Sequence, residues 1–184
     1  PILFAEPVPG LALPVASRFR VLFGEEEVVL YNVHLPTPRR NLQRLRGNGF
    51  MHSLATGGGL FSKNVRAEFT DFMNRNLRLA QQIVEAASLE DSPVIIAGDF
   101  NAPAQGRVAR VIAKAFQDAH TKVGGGCGFT FPGVSRNPFS LFGPFLRIDH
   151  VYANQKLQPV GCQVEPRRPS QHLAIAAGFD LSDL

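Results

Sequence analysis

A short apolar run, Val94-Ile95-Ile96-Ala97, stops at Gly98-Asp99-Phe100-Asn101, and there the first residues with reactive side chains appear. Asp99 and Asn101 lie two apart, so on extended backbone they share a face. An ionised carboxylate in that position can hold a hard cation or take a proton from water. A neighbouring amide can orient a phosphate oxygen. Asp and Asn are also common turn and cap residues, so these four letters alone leave a turn and a catalytic centre both open.

Three other places repeat the pattern. Asn32-Val33-His34-Leu35 closes an apolar run with an alternating polar pair, just before an arginine-rich stretch. Arg147-Ile148-Asp149-His150-Val151-Tyr152 sets an Asp and a His in a strand that is otherwise largely apolar. A buried carboxylate is costly unless paired, so Asp149 requires a partner, and an imidazole would serve. Ser170-Gln171-His172-Leu173 puts a His directly before the last apolar stretch. Asp, Asn or His thus arrives at separate strand ends, the convergence by which α/β folds assemble active sites.

The elements that must position these residues follow from periodicity. Residues 1–14 carry four prolines and read as an irregular lead-in or edge. Residues 18–23 and 27–34 read as strands joined by a turn at Gly24-Glu25. Residues 39–61 hold Arg39, Arg40, Arg44 and Arg46 and several glycines, a long functional loop. From Ser62, a candidate N-cap, apolar residues recur every three or four positions to Ala87 and predict a long amphipathic helix. Residues 94–97 are a buried strand, and Pro103 opens a second helix running to about Ala119. Residues 124–128 form a glycine-rich turn, 133–144 a loop, and 129–131, 145–153, 157–164 and 173–179 read as strands. Alternating helices and strands with hairpins at both ends favour a layered α/β sandwich of mixed sheet.

Composition sets bounds on function. The 184 residues have the length of one ordinary domain, with 45% hydrophobic and 18% charged residues. Net charge is +4, and Lys63, Lys114, Lys122 and Lys156 are the only lysines among nineteen basic residues. Guanidinium forks match phosphate oxygens, so Arg39 and Arg40, with Asn32, are the candidate phosphate-binding residues. Two cysteines, Cys127 and Cys162, are too few for a disulfide scaffold and lack zinc spacing. No apolar run approaches the roughly 18 residues of a membrane span.

In order and context, Asn-x-His, Gly-Asp-Phe-Asn, Ile-Asp-His-Val and Ser-x-His resemble the endonuclease/exonuclease/phosphatase superfamily of DNase I-like phosphoesterases. The match runs over residues 31–175. It implies part of a four-layer α/β sandwich, mixed and mostly antiparallel sheets flanked by helices, in a single domain over residues 1–184. It implies a divalent-metal-dependent phosphoesterase in which water attacks phosphorus. The attack is an in-line displacement whose rate comes mostly from positioning and charge neutralisation. By the resemblance, His172 activates or orients the water and Asp149 pairs with it. His34 stabilises phosphoryl oxygens or the leaving group. Asp99 and Asn101 orient the nucleophile, contact a metal and hold the phosphate. The metal set is Asp99, Asn101 and His172, with magnesium the expected ion and manganese or calcium the alternatives.

Two departures stand out. The family usually has Ser-Asp-His where this chain has Ser170-Gln171-His172, and the family's opening strand with an Asn and its later strand with the metal-binding Glu have no counterpart before Asn32. These departures imply a domain lacking its N-terminal portion, whose missing half or another chain supplies the Glu. They also support an alternative, an impaired relative that binds phosphate ligands as a scaffold. The resemblance leaves the substrate as a nucleic acid, lipid headgroup or small phosphate ester, and allows a membrane tether ahead of Pro1.

Overall fold

The computed structural model describes residues 1–11, 13–38, 63–133, 143–166 and 170–181. Its organising element is β3 (Glu26–His34), whose period of two divides the molecule into faces. Val29, Tyr31 and Val33 point into the core on one side, while Asn32 and His34 emerge exposed on the other. Antiparallel to β3 runs β2 (Ala16–Phe23), through a two-residue turn in which Gly24 has φ +65°. That left-handed residue suits the twist of a hairpin and favours glycine. Parallel to β3 on its other side runs β4 (Val94–Asp99). A parallel pair needs a long crossover, and α1 (Lys63–Ser88) supplies it.

The sheet is completed by β1 (Ile2–Pro7), β6 (Asp149–Ala153) and β5 (Gln117–Asp118), in the order β1-β2-β3-β4-β6-β5. Only the β3 and β4 pair is parallel. Against the core face, α1 lays Phe72, Leu79, Ala80, Ile83 and Ala87 at helical spacing, and α2 (Arg107–Ile112) adds Val108 and Ile112. Glu90, just past α1, accepts two Arg18 guanidinium bonds at 2.6 and 2.8 Å and the Tyr31 hydroxyl at 2.8 Å. The helix end is thereby fastened to β2 and β3. No helix among the described residues is long and apolar enough to cross a membrane.

On the opposite face, β7 (Leu157–Val164) and β8 (Ile175–Leu181) form a two-stranded antiparallel sheet. Cys162, Ala177 and Phe179 pack there with Val151, Ile95 and Ala97 of the large sheet and with Ala119 of α3 (Ala119–Val123). The same face continues over β2 and β3, where Phe19, Val21 and Leu30 are only half-buried and Phe23 is 77% exposed.

The expected α/β class, with a mixed and mostly antiparallel sheet and flanking helices, is what the structure shows. Several boundaries differ. The proline-rich lead-in includes a true edge strand, β1, irregular between Ile2 and Phe4. The predicted second helix is not continuous: α2 ends at Ile112, and Gln117 and Asp118 pair instead with Ala153 and Tyr152. The Gln117 amide donates to the carbonyls of Asn154 and Leu157, so edge pairing prevails over helical periodicity. The strand predicted over 145–153 begins only at Asp149, because the Ile148 and Asp149 amides bond the Thr130 hydroxyl rather than a neighbouring strand. Residues 129–131 contribute a single bridge, Phe131 to Leu146. The Ser62 cap, Arg39, Arg40 and the rest of the arginine-rich loop lie outside the described residues.

A buried ion pair ties the β6 approach to α3. Arg147 donates to both Asp118 oxygens at 2.8 and 2.9 Å, while Asp118 also caps α3 through the Thr121 amide. Burial would raise the Asp118 carboxyl, but the Arg147 bonds and charge hold it below its ordinary value. Removing the cation alone strands a desolvated carboxylate, so Arg147→Met is expected to lower stability by about 3 kcal/mol. Urea unfolding with an unchanged midpoint would show that the pair carries no such weight.

Candidate active site

Strand register by itself assembles most of the site. His34 pairs with Asp99 across the parallel ladder, and Asp99 pairs with Asp149 across the antiparallel one. Three reactive side chains therefore sit in one transverse row on adjacent strands. One step back along the strands, Asn32 pairs with Ala97 and Ala97 with Val151, on the same face. His172 reaches the row from the segment leading into β8. Asn32, Asp99, Asp149 and His172 line an open cleft of about 440 Å³.

Within the cleft, His172 Nδ1–H donates to Asp149 Oδ2 at 2.9 Å. That bond fixes the neutral tautomer, leaving the Nε2 lone pair 4.0 Å from Asp99 Oδ2. His34 Nε2 stands 3.7 Å from the same Asp99 oxygen, with its side chain 77% exposed. The bond to Asp149 raises the His172 pKa above its ordinary value, against the opposing effect of burial. Burial pushes the Asp99 carboxyl up, the Asn101 amide works against this, and the Asp149 charge adds to the rise.

The Asp99 carboxylate is held by its own loop. Asn101 takes a left-handed φ of +47°, a conformation Asn tolerates better than most residues, and its backbone N–H donates to Asp99 Oδ1 at 2.8 Å. The Asn101 side-chain amide donates to Leu35 O at 2.8 Å and to Asp99 Oδ2 at 3.1 Å. Its nitrogen is thus committed to the loop, and its Oδ1 is the atom it can offer a ligand. Just before Asp99, Gly98 has φ +142°, and a Cβ there would lie 2.0 Å from the Val33 carbonyl oxygen. Glycine is the residue that lets β4 close on β3 at this point.

Among the described residues, one group can supply three metal-ligand atoms within 4.8 Å of one another: Asp99, Asp149 and His172. It shares Asp99 and His172 with the sequence-based set and adds Asp149. Register puts Asp99 and Asp149 directly opposite each other, an arrangement like charges disfavour unless a cation lies between them. Two hard oxygens and one imidazole suit a divalent ion. The carboxylates present therefore fit a bound metal.

His150, the other histidine of that strand, faces away. Its buried ring lies against Phe100 and Tyr152, Nε2 donates to the Ala102 carbonyl at 3.0 Å, and burial lowers its pKa. Asp149 consequently takes its imidazole from His172. Gln171 is exposed, and its backbone carbonyl accepts the Gly133 amide at 2.7 Å. Thr130 was not legible as a site residue: a threonine between two phenylalanines carries no chemical signal, yet its hydroxyl and carbonyl bind on either side of the Asp149 and His172 pair.

An Asp–His pair thus faces a second carboxylate at the strand ends of an α/β sheet. The chain belongs to the endonuclease/exonuclease/phosphatase family, whose model matches residues 8–172. No curated protein matches it significantly. Among solved structures it is similar to a functionally unknown conserved protein from Enterococcus faecalis, with TM-score 0.61 and 19% identity over 95% of this chain and 59% of that one. It is similar to a mannosyl-6-phosphatase from Bacteroides thetaiotaomicron, with TM-score 0.57 and 16% identity over 90% of this chain and 57% of that one. A 3′ phosphatase from Neisseria bound to product DNA hairpin gives TM-score 0.61 and 15% identity, over 98% and 72%. These likenesses establish the shared DNase I-like fold. The chain spans less than two thirds of the first two of these structures.

Proposed function

We propose that this chain carries the catalytic centre of a divalent-metal phosphoesterase, acting on a phosphodiester or phosphomonoester. The observation that carries the reading is the His172 to Asp149 hydrogen bond, which turns Nε2 toward Asp99 at the head of the cleft. In this reading His172 Nε2 takes the proton of the attacking water, and Asp149 stabilises the imidazolium that forms. Asp99, held by Asn101, orients the water. His34, projecting into solvent at the opposite end of the row, is placed to neutralise charge on phosphoryl oxygens or the leaving group, with Asn32 beside it and Arg39 and Arg40 as further phosphate ligands. Asp99 and Asp149 would hold the metal, magnesium being the ion that suits paired carboxylates and a phosphate. When bound, the metal supplies charge neutralisation at the phosphoryl oxygens.

Hydrolysis of an aryl phosphodiester or monoester by the purified protein with magnesium tests the reading, with a fall of at least about 100-fold expected on adding chelator. Turnover that chelator leaves intact would exclude the metal-dependent mechanism. Substrate classes separate by salt: a nucleic-acid substrate requires affinity that falls steeply with ionic strength, whereas a small phosphate ester does not. A lipid headgroup would show itself as activity on vesicles.

A second reading is favoured by one observation. Glu6, Glu27 and Glu90 are bound to Arg18 and Arg20, and the described metal group contains no glutamate. A binding or scaffold relative with this cleft would take up phosphate ligands without turning them over. The enzyme reading answers the same observation by drawing its glutamate from a further polypeptide segment seated on the half-buried Phe19, Val21 and Leu30. Equal magnesium-dependent rates for residues 1–184 alone and for a longer chain bearing such a segment would overturn that requirement.

A further inference from the structure

We infer that Thr130 and the three residues after it form a positioning brace that sets the Asp149–His172 pair, a role resting on the reading of that pair as catalytic. Thr130 is fully buried and lies far in sequence from both members. Its Oγ1 accepts the amides of Ile148 and Asp149, each at 3.3 Å. Its carbonyl accepts the Leu173 amide at 2.8 Å, one residue past His172. A single residue thus holds the backbone of the acid on one side and of the base on the other.

The residues that follow extend the brace. The Phe131 ring lies 5.1 Å from the His172 ring, tilted by 55°, and walls one side of the imidazole. The Gly133 amide donates to the Gln171 carbonyl at 2.7 Å, and a Cβ on Gly133 would meet the Ser170 carbonyl at 2.4 Å. The chain carrying His172 is therefore tied at 171 and at 173, with the catalytic ring between the two ties.

His172 has few other constraints. It belongs to no strand, its own amide bonds, among the described residues, the Ser170 hydroxyl at 3.3 Å, and about a third of its side chain is exposed. Asp149 is the first residue of β6, where the ladder begins. Two groups at a strand start and in a connecting segment keep a 2.9 Å bond only if something fixes both, and the brace does so without touching a substrate.

The test compares Thr130→Val with Thr130→Ser. Valine matches threonine in shape but leaves two amides unbonded, whereas serine keeps the acceptor. Thr130→Val is expected to lower kcat by about tenfold or more with KM within about twofold, and Thr130→Ser to restore most of it. Independently of turnover, the hydrogen-bonded imidazole proton of His172, identified by its loss in His172→Gln, is expected in the downfield NMR spectrum of the unmodified protein and of Thr130→Ser. It is expected to broaden or vanish in Thr130→Val. A folded Thr130→Val with that resonance intact overturns the brace, as does a serine variant impaired as much as valine. If Thr130→Val does not fold, Phe131→Leu decides instead, because loss of the ring wall should broaden the same resonance, and an unchanged signal overturns the proposal. Absence of turnover even in a longer chain bearing the glutamate segment, with the resonance responding as stated, would refute the catalytic reading and leave the brace standing.

Discussion

Replacing His172 with alanine is expected to lower kcat for phosphoester hydrolysis by about a thousandfold, with circular dichroism unchanged. The side chain is one-third exposed and its loss opens little of the core, so the effect falls on chemistry rather than folding. The same residue sets the pH dependence. Acting as a base, His172 must be neutral, and the bond to Asp149 favours its charged form. Activity should therefore rise with pH through a midpoint above the ordinary imidazole value. Asp149→Asn should bring that midpoint down while lowering the plateau. Stability runs the other way: a raised folded pKa contributes stability that is complete below the unfolded pKa and is lost as pH rises through the folded one. The pair thus supports the fold most where it works least. A His172→Ala variant keeping more than a tenth of the rate would end the assignment of His172 as base.

The second large effect is expected at Gly98. Any side chain there meets the Val33 carbonyl oxygen at 2.0 Å while holding a φ of +142°. Backbone strain and backbone overlap act together, and neither can be relieved by rotating a side chain. Gly98→Ala is expected to destabilise by about 4 kcal/mol, among the larger values for a single methyl group. Urea unfolding measures it, and a loss below about 1 kcal/mol would mean that β3 and β4 part more easily than their pairing suggests. Because Asp99 follows directly, relaxation at Gly98 should also weaken the match between Asp99, His34 and Asp149.

The residues most legible from sequence were those whose chemistry is unusual for their setting. Asp99, Asn101, His34, Asp149 and His172 each break an apolar run, and the structure brings Asp99, Asp149 and His172 to one cleft, with His34 and Asn101 beside Asp99. The core face of β3 and the long α1 were also legible, since period two and period 3.6 leave direct marks on composition. What escaped was decided by partners distant in the chain. Gln117 and Asp118 look helical until Ala153 and Tyr152 offer them an edge. The presence of Asp149 beside Asp99 in the candidate metal group depends on which strand neighbours β4, and spacing does not state that. Thr130 was illegible because its function consists in bonds to amides 18 and 19 positions away.

The transverse row from His34 through Asp99 to Asp149 makes the sheet a ruler. Its divisions are the hydrogen-bonded spacings between strands, roughly 4.8 Å each, and no side-chain substitution can alter them. The backbone positions that carry the neighbouring candidate groups are therefore separated by a lattice constant of the sheet, common to every protein that keeps the same three strands in the same register. Divergence between substrates must then be written outside the ruler, while the graduations stay as they are.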